Sequence, residues 1–358
     1  MNIDGVRNLS EQRLVLAPAA NLFYGANGSG KTSILEAIAL LATGKSFRTH
    51  SARPLIQHQA QYCLVQGRLI RAGQQHNLGI RRHRSGDAEM RIDGSAAQSL
   101  ADLAQLLPTV LLDTNALELI SGPPELRRRY LDGTVFHVEQ FFLDQWRRYQ
   151  RALRQRNAGL RRGTIGPDNV WLDELARAGE LLTTTRSTVV ATLAESYSRI
   201  GSELSPALED TCLSLRCGWD ADLGLREALD KSRESDRNQG YTHVGPHRAD
   251  LKVTINGRPA ADVMSRGQMK LAVVAMKLAQ GELLREQGSA PPIYLVDDIA
   301  AELDRDHAGK VCELLAASGS QVLLTSVSSE EIRDLWPGDH LEMFHVEQGV
   351  VTGFLPEG

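Results

Sequence analysis

No stretch of this 358-residue chain approaches the roughly 20 consecutive apolar residues that cross a bilayer, so a membrane span is not expected. The first residues show no charged segment leading into an apolar core, so a secretory leader is not expected and the cytoplasm is the expected location. Only four cysteines occur, Cys63, Cys212, Cys217 and Cys312, and none has C-x-x-C spacing, so neither a disulfide scaffold nor a cysteine-bound metal is expected. An overall positive charge is also missing. At a net charge of −4, any nucleic-acid partner has to be argued from local clusters. There is no internal repeat, low-complexity tract or sustained heptad pattern, which excludes solenoids and long coiled-coil arms.

With 42% hydrophobic residues, the chain can build one large or two ordinary cores. The first part alternates strand and helix: strands near Arg13 to Leu16 and Asn21 to Tyr24, then a glycine-rich turn. A helix follows from Lys31 to about Ala42, with Ile34, Leu35, Ile38 and Leu41 as its apolar stripe. Alternation between residues 61 and 93 predicts a small antiparallel sheet, and Val110 to Leu112 another strand. Beyond Ser121-Gly122-Pro123-Pro124 the pattern becomes helical for about 30 residues, breaks at Arg161 to Asp168, and resumes from Trp171 to about Ile200. Alternating strands and helices return in the last third. The expected organisation is a discontinuous α/β domain, residues 1–113 and 241–358, with a mainly helical lobe inserted at 114–240.

Gly25-Ala26-Asn27-Gly28-Ser29-Gly30-Lys31-Thr32 fits G-x-x-x-x-G-K-[ST] and lies between a predicted strand and a predicted helix. Backbone N–H groups of such a loop turn inward around phosphates, and the helix presents its positive end to them. Lys31 is expected on the β- and γ-phosphates of ATP and the Thr32 hydroxyl on Mg²⁺. Ile293 to Val296 is an apolar run ending in Asp297-Asp298. Asp297 is expected to hold the magnesium, directly or through water, and Asp298 to orient or deprotonate the attacking water.

Met264-Ser265-Arg266-Gly267-Gln268 resembles the signature loop of the ABC ATPase superfamily, with Arg266 in place of its first glycine. Ala301 to Asp304 resembles that superfamily's D-loop. The resemblance implies an ABC-type P-loop ATPase head, a parallel core sheet plus an antiparallel sheet, carrying the helical insertion. It also implies a dimer in which Ser265, Arg266, Gly267, Gln268 and Asp304 of one copy meet nucleotide held by the other. Taken alone, Ser265 reads first as an ordinary helix N-cap; its order and spacing relative to Asp297 favour the signature reading. Two superfamily features are weak: Thr325-Ser326 stands where many members have a switch histidine, and Asp113-Thr114-Asn115 stands where a glutamine loop is usual.

The phosphate loop and Ser265 are 234 positions apart, further than in a transporter ATPase, while heptad arms are absent. Gly44-Lys45-Ser46-Phe47-Arg48, Arg127 to Asp132 after Gly122-Pro123, Tyr149 to Asn157, Gly245-Pro246-His247-Arg248 and Asp297 to Asp304 together resemble the RecF family of bacterial recombination mediators along nearly the whole chain. Ala249 departs from that family's first aspartate after G-P-H-R. The resemblance implies ATP-dependent dimerisation, a weak, DNA-stimulated, Mg-dependent ATPase, and binding to double-stranded DNA near gaps. It further implies work with RecR and RecO to load RecA on strands covered by single-strand-binding protein, in repair, replication and the SOS response. A local charge surplus accords with this. Between Arg127 and Arg162 ten arginines face three acids. Arg147, Arg151 and Arg154 share a helix face, and with Arg127 and Arg128 they are candidates for the phosphate backbone. Arg81, Arg82 and Arg84 form a second, weaker candidate cluster on an expected hairpin, and His247 and Arg248 are further candidate site residues. A transport-energising subunit and a small-molecule kinase are the rival readings, the first disfavoured by the insertion and the second by the signature loop.

Overall fold

The computed structural model describes residues 1–49, 51–71, 73–113, 117–163, 170–288 and 290–353. The expected break at 164–168 and the Thr114-Asn115 position lie outside the described residues. Two compact units result: Met1–Ala116 with Leu284–Gly358, and Leu117–Leu283.

In the first unit, β1 (Asn2–Asp4) and β2 (Gln12–Arg13) precede β3 (Ala20–Tyr24) and α1 (Lys31–Thr43). Then follow β4 (Tyr62–Arg71), β5 (Gln74–His83), β6 (Ala88–Ile92), β7 (Ser95–Ala96), α2 (Leu100–Leu106) and β8 (Thr109–Leu112). One sheet has the order β2-β1-β4-β5-β6-β7 and is antiparallel throughout. The strand expected at Arg13 to Leu16 is thus only an edge pair. Strand alternation sends Cys63 and Val65 of β4 and Leu78 and Ile80 of β5 to one face, where they share a core with Ile34, Leu35, Ile38 and Leu41 of α1.

The second unit holds α3 (Glu118–Ser121), α4 (Pro124–Val138), α5 (Phe142–Arg162) and α6 (Val170–Leu204), then β9 (Thr211–Arg216), α7 (Leu225–Lys231) and α8 (Arg233–Gln239). It continues with β10 (Asp250–Ile255), β11 (Arg258–Pro259), α9 (Ala260–Val263) and most of α10 (Arg266–Gln287). Pro124 opens α4, where the N–H that proline lacks has no helical acceptor anyway. The helical stretch expected after Pro124 is two helices, parted at Glu139 to Phe141.

Residues 241–283, expected in the head, belong to this second unit. Residue-by-residue pairing of β10 with β9 carries the chain into the lobe. Arg127 then holds Asp250 through two hydrogen bonds of 2.8 and 3.1 Å. Helix α10 is tied to α4 by Tyr130 Oη donating to the Met276 carbonyl at 2.6 Å and Gln280 Nε2 donating to Thr134 Oγ1 at 2.9 Å. These partners are distant in sequence, so helical and strand periodicity carry no sign of them.

The chain then returns to the first unit with β12 (Ile293–Val296), α11 (Ile299–Glu302), α12 (Arg305–Ala317), β13 (Val322–Ser326), α13 (Ser329–Leu335), β14 (Leu341–Glu347) and β15 (Val350–Gly353). The second sheet runs β15-β14-β3-β13-β12-β8, parallel except for the terminal β14–β15 hairpin. Both ends of the chain build it, as expected. Its central strands β3 and β13 are buried almost throughout because both faces are covered, and Asn21, Thr325 and Ser326 are the polar residues they bury. No helix among the described residues is long and apolar enough to cross a membrane.

Candidate nucleotide site

The loop after β3 and the loop after β12 emerge from the same end of the parallel sheet, since β13 lies between the two strands and runs with both. A cleft of about 760 Å³ opens there, lined by Asn27, Gly28, Gly30, Lys31 and Thr32 together with Asp297, Asp298 and Thr325. Two glycines of the phosphate loop are demanded by geometry. Gly25 has φ +150° and a Cβ there would sit 2.2 Å from the Val346 carbonyl oxygen, and Gly30 has φ +120° with the Leu9 side chain 2.9 Å from a Cβ.

Lys31 begins α1 and is only 7% exposed. Its ammonium donates to the carbonyls of Gly25 at 2.7 Å and Ala26 at 3.0 Å. Burial pulls its pKa down, against the opposing pull of Asp298 and Asp297. The Ser29 hydroxyl is buried in the same loop with no hydrogen-bond partner among the described residues. A buried hydroxyl without a partner costs free energy, and a phosphate oxygen would satisfy it.

Asp297 gathers the hydroxyls of the site. Thr32 Oγ1 donates to its two carboxylate oxygens at 2.9 and 3.2 Å, and Thr325 Oγ1 donates at 2.7 Å. A carboxylate and a hydroxyl so joined form the hard oxygen donor set that suits Mg²⁺ completed by phosphate oxygens and water, so these residues fit the ion. Asp298 has φ +52°, a left-handed conformation uncommon outside glycine. Its N–H donates to Thr325 Oγ1 at 2.9 Å. Thr325 therefore bridges both aspartates from the position where a switch histidine is usual. Burial raises the Asp298 carboxyl above the ordinary carboxylate range; Lys31 opposes this, and Asp297 adds to it.

Arg7, Asn8, Arg53 and His58, which sequence reasoning missed, line the same cleft, as do Arg48 of the Gly44 to Arg48 motif and Arg84, expected on DNA instead. Arg7 is paired to the buried Glu36 of α1 through two hydrogen bonds of 2.7 Å, and Asn8 Nδ2 donates to the Gly28 carbonyl at 3.1 Å. Arg84 hydrogen-bonds to carbonyls of Gln57, His58 and Ala60, which fixes the cleft wall. A polar residue inside the helix core, Glu36, was the available signal: a buried carboxylate needs a cation from elsewhere in the chain.

Ser265 to Gln268 begin α10 in the second unit. The Ser265 hydroxyl accepts from the Gln268 N–H at 3.3 Å, while Gln268 Oε1 accepts from the Ser265 N–H at 2.8 Å, a reciprocal cap. Ser265, Arg266 and Gly267 are exposed all the same. Asp304 caps α12, accepting from the His307 N–H at 3.1 Å and meeting His307 Nδ1 at 2.6 Å.

Comparison with known proteins bears on this arrangement. The model of the RecF/RecN/SMC N terminal domain matches residues 1–352. The DNA replication and repair protein RecF of Pseudomonas putida is 43% identical over 98% of the chain and 96% of that relative. The chain belongs to the RecF family. RecF of Pseudomonas aeruginosa is 42% identical over 98% of the chain and 96% of that relative. A solved structure of the recombination mediator protein RecF with ATP, in the RecFOR pathway, superposes with a TM-score of 0.85 at 27% identity, covering 98% of this chain and 96% of that one. An Smc head superposes at 0.60 with 16% identity, covering 98% of this chain and 94% of that one, a likeness of fold. The α/β ATPase-head expectation holds, and the chain is a DNA replication and repair protein of the RecF type.

The arginines expected on DNA divide into two groups. Arg127 is not available to a phosphate: besides Asp250 it donates to the carbonyls of Leu119, Ile120 and Gly122. Arg128 donates to the Ala249 carbonyl at 2.7 Å. The Arg127 expectation is corrected, because its guanidinium is used up on Asp250 and on the three carbonyls, whereas Arg128 is half-buried with this one hydrogen bond among the described residues. Arg147, Arg151 and Arg154 are exposed on α5, and the only ion pair the three make among the described residues is Arg147 with Asp144 at 3.6 Å. Arg81 and Arg82 do not act together, since neighbouring strand residues point to opposite faces. His247 is structural: its Nδ1 meets buried Tyr149 Oη at 2.5 Å, its Nε2 meets the Thr242 carbonyl at 3.0 Å, and burial lowers its pKa to about 4. Arg248 remains exposed beside the Tyr241 ring.

Proposed function

We propose that two copies of this chain close over ATP, each placing its Ser265 loop on nucleotide held by the other's phosphate loop, and that the closed dimer grips duplex DNA at gaps. The observation that carries this reading is the Asp297 hub, in which the helix-start hydroxyl of Thr32 and the strand-end hydroxyl of Thr325 converge on one carboxylate beside Lys31. Lys31 would leave the Gly25 and Ala26 carbonyls for the phosphates, and the Ser29 hydroxyl would gain the acceptor it lacks. Thr32 and Asp297 would hold Mg²⁺, which when bound neutralises charge on the phosphate oxygens. Asp298 would take a proton from the attacking water, its raised pKa making it a stronger base than an ordinary aspartate. Thr325 keeps the Asp298 backbone in its left-handed conformation during that transfer.

The exposed arginines of α5 would follow the phosphate backbone, giving affinity and salt dependence without base specificity. As with the RecF relatives in the RecFOR pathway, the partners would be RecR and RecO, and the outcome RecA loading on gaps covered by single-strand-binding protein. Hydrolysis would be weak, stimulated by DNA, and would reopen the dimer in the cytoplasm. Sedimentation of wild type, Lys31→Ala and Ser265→Ala with ATP and Mg²⁺, with and without a gapped duplex, tests this. The expected result is a wild-type dimer on DNA and two monomeric variants; a monomeric wild type, or dimeric variants, refutes it.

A further inference from the structure

A larger cleft than the nucleotide site, about 1190 Å³, lies in the same unit at the opposite end of the parallel sheet. Pro108, Ile293 and Gln321 line it where β8, β12 and β13 begin, whereas Lys31 and Asp297 stand where strands end. Its other wall is the antiparallel sheet. Register places Arg13, Asn2, Gln66, Gly79 and Arg91 in one row across β2, β1, β4, β5 and β6. Four strand spacings put the two arginines of that row about 19 Å apart, with a glycine leaving the space before Arg91 bare. Arg68 and Arg81 lie two residues from Gln66 and Gly79 on their strands, so they share this face, turned away from α1.

The face is positively charged and incompletely neutralised. Among the described residues Arg13, Arg68 and Arg91 make no ion pair, and the one carboxylate lining the cleft, Glu89, pairs with Arg81 at 3.3 Å. Arg81 Nε is buried with no hydrogen-bond partner among the described residues. The Met1 amino group, which also lines the cleft, is held below its ordinary pKa by burial first and then by Arg13 and Arg68. Beside these charges stand two exposed branched aliphatics, Val15 at 77% and Ile70 at 71%.

We infer that this cleft binds an extended acidic peptide segment of a partner protein, carboxylates on the arginines and aliphatic side chains on Val15 and Ile70. A nucleic-acid strand fits the lining less well. None of the described lining residues is aromatic, so bases have no ring to stack on. The aliphatic anchors have no counterpart in a sugar-phosphate backbone. They match alternate side chains of an extended peptide, whose spacing is that of the sheet itself.

Fluorescence polarisation with a short labelled peptide of alternating aspartate and leucine, without nucleotide, tests the inference. Wild type should bind it and should bind the asparagine–leucine version at least roughly tenfold more weakly, since several exposed charge pairs contribute together. The variant Arg13→Ala/Arg68→Ala/Arg91→Ala should lose affinity by a similar factor, and Val15→Asp/Ile70→Asp should also weaken binding; all five positions are exposed. A urea midpoint for each variant identifies any fold defect, and the asparagine–leucine comparison uses wild type alone. Equal binding of the two peptides overturns the inference. So does tighter binding of a matched oligothymidylate, which would make the face a nucleic-acid surface. Because no arm contains nucleotide, failure here leaves the ATP-dimer reading standing.

Discussion

In the lobe, the side chains of Arg156 and Arg186 are each 3% exposed, and each meets a carboxylate at 2.7 Å, Asp236 and Asp132 respectively. In the nucleotide cleft, Lys31 is nearly as buried but has no carboxylate within ion-pair distance among the described residues, and its ammonium rests on two backbone carbonyls. The difference separates two uses of buried charge. A charge paired inside the fold holds shape and is costly to break. A charge left on weak neutral acceptors can move to a ligand, and the Ser29 hydroxyl without a partner and the strained Asp298 beside it tell the same story.

The largest expected effect that sharpens this contrast is on hydrolysis. Asp298→Asn should lower the single-turnover rate by about 10²–10⁴-fold while nucleotide affinity stays close to wild type. Asparagine tolerates the left-handed backbone at this position, so the change is chemical. The acid limb of the wild-type rate profile should lie above that of an ordinary aspartate, because the active form is deprotonated and its pKa is raised; the limb should vanish in the variant.

On the lobe side, Asp236→Ala strands Arg156 and should cost about 3–5 kcal/mol in urea unfolding. Lys31→Ala should do the reverse: nucleotide affinity falls about a hundredfold, by loss of charge-assisted hydrogen bonds, while the urea midpoint does not fall. A destabilised Lys31→Ala would break the comparison.

A smaller effect follows from two histidines of the lobe, His137 and His247, which burial holds at a pKa of about 4 against an ordinary 6.5. With folded values below unfolded ones, the unfolded chain takes up protons first as pH falls. Stability present above pH 6.5 is therefore lost toward pH 4, by up to ~3 kcal/mol per histidine. Urea midpoints at neutral and acid pH should differ less in His247→Gln than in wild type. The smallest effect is expected from Arg151→Ala, which should leave stability alone and reduce the salt slope of duplex binding by about 1.

The site was legible where chemistry is local. Gly25 to Thr32, and Asp297-Asp298 at the end of an apolar run, are contiguous, and each carries its meaning in spacing and residue type. Thr325 was visible only as something other than the usual histidine, because its bridging role depends on β13 lying between β3 and β12. The Arg127 reading failed for a similar reason. A run of arginines has the same appearance whether it faces DNA or a carboxylate 123 residues away, as Asp250 is.

The sequence by itself determined the phosphate-loop motif, the paired aspartates, the alternation of strand and helix in the head and the helix start at Ser265, since these follow from periodicity and from contiguous motifs. Only the tertiary structure decided that residues 241–283 join the lobe, that Arg127 and His247 are structural, and that Arg13, Arg68 and Arg91 share one sheet face. Those outcomes depend on strand register and on side chains distant in sequence that must satisfy one another once water is excluded.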